Sequence, residues 1–114
     1  MPPEDDALLL DMLVAAKEAV AITRGVSFAE FERQRVLRLA IERLIQNIGE
    51  AGSRLSSPAR ERIPALPGHD IISMRHRLVH DYRQVRADRL WDVVETVLED
   101  LIRAIEPMLP PEGA

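Results

Sequence analysis

Apolar residues recur along this chain at intervals of three and four, the repeat of an α-helix, and no stretch alternates one by one as a half-buried strand does. Leu8, Met12, Ala15, Ala19 and Ile22 form the first such stripe, in a helix from about Asp5 to Arg24. Asp5 or Asp6 offers a side-chain oxygen to the open amides at its start, and Gly25 supplies the backbone freedom that ends it. A second helix opens at Ser27, where Glu30 three residues on completes a capping box. Its stripe, Phe28, Phe31, Leu37, Ile41, Leu44, Ile45 and Ile48, predicts one helix to about Gly52. The last helix starts near Asp88 and carries Leu90, Trp91, Val94, Val97, Leu98, Leu101, Ile105 and Met108. Pro107, Pro110 and Pro111 stop it, so residues 107–114 read as a frayed tail.

Ser53–Asp70, between the second and last helices, is rich in Ser, Pro and Gly. Ser57-Pro58 opens one short helical turn, and Pro64 and Pro67-Gly68 then break the chain. Asp70 caps a third, shorter helix built on Ile71, Ile72, Met74, Leu78 and Val79. The expected fold class is all-α, an antiparallel up-down four-helix bundle with a short extra helical turn, in a single domain over residues 1–114. Gly49 and Gly52 stand inside or at the end of a strong helix, where each costs about 1 kcal/mol relative to alanine. Close approach of another helix is the compensation expected, although Gly52 also reads as a simple helix end.

Composition narrows the chemistry. A chain of 114 residues supports one core. Cysteine is absent, which removes disulfides, thiolate zinc sites and cysteine nucleophiles and fits a reducing interior. The acidic start, Pro2-Pro3-Glu4-Asp5-Asp6, is unlike a signal peptide, and no apolar run has membrane-spanning length. A soluble cytoplasmic protein is the expectation, with no membrane partner.

The net charge of −4 is unevenly spread: −5 over residues 1–32, +6 over 33–90 and −5 over 91–114. A globally acidic chain can therefore still offer an anion a positive site. Arg75, Arg77, Arg83, Arg86 and Arg89 cluster around Arg75–Tyr82, and all three histidines fall at His69, His76 and His80. Most of these arginines also have a plain reading as a solvated helical face. An arginine that forks onto a phosphate and a histidine that moves a proton near neutral pH are the tools of metal-free phosphodiester chemistry.

On one ideal helix His76 and His80 share a face, whereas Arg75 and His80 point about 140° apart. A helix that ends near His80, or two copies that each supply part of a cleft, would make the groups converge. Spacing alone supports a structural reading equally: a histidine near a helix C-terminus is favoured by the dipole, and Tyr82 serves as a half-buried anchor. A metal site is not expected. No third histidine or helical glutamate joins His76 and His80, and Asp81 points off their face. No phosphate-binding glycine loop and no nucleophile elbow is present, and no cofactor is implied. Four aromatics are too few for a broad RNA-stacking platform.

At these residues the chain resembles the HepT-like toxins of the HEPN superfamily. The superfamily mark is Arg-x4-6-His with a polar residue after the arginine, here Arg75, His76 and His80. The HepT-like form adds a tyrosine two after the histidine, here Tyr82. Ile71-Ile72-Ser73-Met74 before the arginine, Ile48-Gly49-Glu50-Ala51 at the end of the second helix and Trp91 in the last helix extend the likeness over nearly the whole chain. Two positions depart: His76 replaces a common asparagine, and Gly68-His69 follows Pro67 where a tryptophan is frequent.

The resemblance implies a homodimeric, metal-independent endoribonuclease toxin acting on RNA in a cleft between protomers. It implies Arg75 and His80 as catalytic residues, His76 in support, and Arg77 and Arg83 on RNA phosphates. It also implies a small nucleotidyltransferase antitoxin as partner, with Tyr82 as AMP acceptor. The competing reading is a non-catalytic helical subunit that binds a nucleotide or docks the nucleotidyltransferase.

Overall fold

The structure, a computed structural model, describes residues 3–62 and 87–110. All regular elements among the described residues are helical. In chain order they are α1 (Pro3–Thr23), α2 (Phe28–Arg33), α3 (Arg35–Ser53), α4 (Ser57–Arg62) and α5 (Ala87–Asp92). A π-helical segment (Val93–Val97), α6 (Leu98–Ile105) and a 3₁₀ turn (Glu106–Met108) follow. α1 packs chiefly along α3 and along α6. No described helix is long and apolar enough to cross a membrane. The loop prolines Pro64 and Pro67, and the expected third helix with its Asp70 cap, lie outside the described residues.

α1 supplies the centre of the core. Leu8, Leu9, Met12, Leu13, Ala15, Ala16 and Ala19 are buried. Ile22, expected on the inner stripe, is instead 38% exposed, because α1 carries apolar residues on its outer side too and periodicity alone does not single out the core side. The end of α1 matches the sequence reading: Gly25 takes φ 75°, and the Val26 amide donates to the Thr23 carbonyl at 3.1 Å. The start differs. Asp5 does not cap its own helix; it accepts hydrogen bonds from the Ser56 amide (3.0 Å) and hydroxyl (2.6 Å), clamping the turn between α3 and α4. Those two bonds hold its carboxyl below the ordinary range.

The second expected helix is two helices. The capping box at Ser27 and Glu30 forms as read, but Gln34 adopts an extended conformation (φ −94°, ψ 90°) between α2 and α3. Ten residues separate Phe31 from Ile41, so one continuous helix would set Phe31 about 80° from Ile41, at the edge of the stripe of Ile41, Ile45 and Ile48. The break at Gln34 lets all four be buried together. Arg38 spans it, its guanidinium donating to the Glu32 carbonyl. Phe28 stays 36% exposed.

Gly52 is buried where α3 meets α1. A Cβ there would stand 3.3 Å from Met12 Cε, so close helix approach is the reason for this glycine. Ser57-Pro58 opens α4 as expected, with the Ser56 hydroxyl accepting from the Ala59 amide. The last helix follows its predicted stripe, with Leu90, Val94, Leu98, Leu101 and Ile105 buried. Its one irregularity is a wide turn, in which the Leu98 amide donates to the Val93 carbonyl and Val93 is buried beside Val94. Beyond it, Met108 and Leu109 pack partly buried against the core.

Candidate functional site

The expected catalytic set lies in sequence between α4 and α5, and both of these flanking helices are firmly held. Ala59 of α4 is fully buried. The Arg60 guanidinium donates to the Ser53 carbonyl at 3.0 Å and the Gly52 carbonyl at 3.4 Å, meeting the open acceptors at the end of α3. With the Asp5–Ser56 clamp, these bonds fix α4 to both α1 and α3. At the return, Leu90 is buried and the Trp91 ring lies 5.0 Å from Phe31 and 6.3 Å from Phe28, both tilted. Tilted rings at such distances attract through their quadrupoles. Trp91, weighed in the sequence as a helix-core aromatic, is thus the bracket that holds α5 to α2.

Arg75, His76, Arg77, His80, Tyr82 and Arg83 lie outside the described residues. All three histidines do as well, so any imidazole chemistry of this chain belongs to the segment between α4 and α5. Among the described residues no group of three His, Asp or Glu side chains could hold a metal ion. Arg89, the described member of the arginine cluster, is exposed on α5, beside Asp88, whose carboxylate accepts from the Arg89 amide at 3.0 Å.

Two open grooves mark the described surface. One, of about 400 Å³, runs between the end of α1 and the last helix and is lined by Arg24, Trp91, Glu95 and Glu99 among others. The other, of about 480 Å³, runs between α1 and α3. Its apolar lining includes the buried Leu8, Ala15 and Ala51 and the more exposed Leu10 and Val14, with Asp11, Glu18, Glu50 and Arg54 beside them. Sequence reasoning passed over this second groove. Its signal was present in the apolar residues that α1 carries on the side opposite its core stripe.

Comparison with known proteins bears on the segment between α4 and α5 as well. The family described as ribonuclease HepT-like matches residues 12–108, a span that includes the whole Arg75–Tyr82 motif. A protein of Methanocaldococcus jannaschii, named as a candidate RNase, is 27% identical over 100 residues, covering 88% of this chain and 92% of its own. Another candidate RNase, from Caldanaerobacter subterraneus, is 30% identical over 89 residues, 78% of this chain and 80% of its own. A protein of Thermococcus cleftensis named probable ribonuclease HepT is 29% identical over 93 residues, 82% of each chain. No solved structure matches. The helical fold, the motif and a family match over most of the chain agree, and the chain belongs to the HepT-like ribonuclease family.

Proposed function

We propose that this protein is a metal-independent endoribonuclease toxin whose Arg75 and His80 act on RNA in a cleft shared by two protomers. The observation that carries the reading is the Arg75-x4-His80-x-Tyr82 pattern in a chain of the HepT-like ribonuclease family. The +6 charge of residues 33–90 supports it, since a phosphodiester needs a locally positive surface. The fold that goes with it is an up-down four-helix bundle, paired as a homodimer.

The steps follow from the side-chain types. The His80 imidazole takes the proton of a ribose 2′-hydroxyl, whose oxygen attacks the adjacent phosphorus. The bond from phosphorus to the 5′-oxygen breaks, and that oxygen leaves with a proton returned by His80 or given by His76. The products are a 2′,3′-cyclic phosphate and a free 5′-hydroxyl. Arg75 offsets the charge that grows on the non-bridging oxygens, where a forked guanidinium fits. Arg77 and Arg83 hold neighbouring phosphates.

Control follows from Tyr82. A nucleotidyltransferase antitoxin that transfers AMP to its hydroxyl would place an anion in the cleft, where it repels RNA and occupies the arginines. The test is RNA cleavage in excess EDTA by the wild type and by His80→Ala. Wild-type cleavage is expected to persist and His80→Ala to fall by about 100- to 10,000-fold, the usual contribution of a general base. Equal cleavage by both proteins would reject the assignment.

A further inference from the structure

We propose that the outer face of α1 and α3 is the surface on which a second copy of this chain docks, each α1 lying across the other copy's α3. The inference deepens the paired-subunit reading above and rests on it for the existence of a dimer. It adds which face pairs and which charges set the pairing.

The apolar residues come first. Leu10 is 50% exposed and Val14 56% on α1, and Leu39 is 45% exposed on α3. Leu10, Val14 and Ala21 fall within an arc of about 40° on the side of α1 away from the core. Apolar residues on the outer side of α1, beyond those the core uses, make a patch suited to a second surface. The face suits an ordinary interface in size. α1 has 21 residues and α3 has 19, so the pair makes a plate about 30 Å long and about 20 Å wide. Its footprint, about 600 Å², is of the order of the roughly 800 Å² per partner that a stable dimer buries.

Charge then selects the occupant and its orientation. The exposed acids on α1 are Glu4, Asp6, Asp11 and Glu18, and its one lysine, Lys17, is held by Glu106. α3 exposes Arg35 and Arg43, with Arg54 at its C-cap, against Glu50. An acidic strip and a mainly basic strip therefore lie side by side on one plate. A two-fold axis parallel to the helices lays each strip on its opposite, twice. An axis across the helices would lay α1 on α1, bringing Asp11 against Glu18 when centred near Val14.

The register is fixed within the protomer. Asp5 stands level with Ser56, and Met12 with Gly52. A parallel two-fold axis leaves these heights unchanged, so Glu18 comes level with the helical turn Arg43–Gln46 of the second copy. Both charges are available. Glu18 has no ion-pair partner among the described residues, and Arg43 reaches only the neutral Gln46 side chain, at 3.3 Å.

Charge reversal tests the pairing. Molecular mass by light scattering and sedimentation is measured for the wild type, Glu18→Arg, Arg43→Glu and the double variant, with helix content checked by circular dichroism. The wild type is expected at twice the chain mass. Each single reversal should weaken the dimer about tenfold or more, and the double reversal should restore it. A monomeric wild type, a dimer that both single variants leave intact, or a double variant no better than the singles would overturn the docking face. RNA cleavage by the same variants separates this from the catalytic reading. Full cleavage by a monomeric single variant supports this face while removing the shared cleft. An unaffected dimer rejects this face and leaves the cleft standing.

Discussion

The inner and outer faces of α1 both carry large apolar residues, and their circumstances are opposite. Leu9, Met12 and Ala16 on the inner face are fully buried, while Leu10 and Val14, one or two positions away in sequence, are half exposed. The carboxylates divide in the same way. Asp5 is buried and bonded to Ser56, whereas Asp6, Asp11 and Glu18 face outward. Apolar residues on a helix thus have two separate tasks here. One set holds the protomer together, and the other waits for a second surface.

That contrast can be broken at several points. The largest effect is expected on the inner face, where Leu9→Ala should cost about 2–5 kcal/mol in urea unfolding, through lost burial and the cavity left behind. A loss comparable to that of an exposed residue would show that the inner face is not the core.

Acid should separate the clamp from the outer carboxylates. The folded-state pKa of Asp5 is lowered by its bonds to Ser56. Its stabilisation is therefore fully present above the ordinary aspartate value of 3.8 and is lost as pH falls through the lowered folded value. Asp5→Asn should lower the melting temperature at neutral pH and flatten the stability profile below pH 3.8. An unchanged profile would mean the clamp contributes nothing.

Glu42 on α3 should show the opposite sign. Burial raises its pKa, with the Arg38 charge opposing. Ionised Glu42 thus costs stability above the raised folded value, a cost relieved as pH falls toward the ordinary glutamate value of 4.5. Glu42→Gln should raise the unfolding midpoint slightly at neutral pH and leave it unchanged well below pH 4.5.

The smallest effect on the protomer belongs to the outer face. Leu10→Ala and Val14→Ala should change protomer unfolding, measured at concentrations where it is monomeric, by less than about 0.5 kcal/mol. A loss of several kcal/mol would merge the two faces into one core.

Much of the fold could be read from local signals. Gly25, the Ser27–Glu30 capping box and Ser57-Pro58 mark helix boundaries that the structure keeps, because each acts on amides and carbonyls a few residues away. The break at Gln34 carried no such mark. Phe31 before it and the isoleucines of α3 after it are buried in one core, an arrangement that appears only once the helices meet. The wide turn at Val93–Val97 was equally silent, since neither proline nor glycine announces it. The candidate site was legible as a pattern of residue types, Arg75, His80 and Tyr82, and the family match covers the same residues.

The chain's order alone settled the helical class, most helix ends, the family and the single stretch where imidazoles can act, because periodicity, caps and motif spacing are written in near neighbours. Which side of α1 is core, that Gly52 sits against the end of Met12, and that Asp5 braces a turn fifty-one positions away were decided by packing. Those facts depend on surfaces that do not exist until distant segments are pressed together.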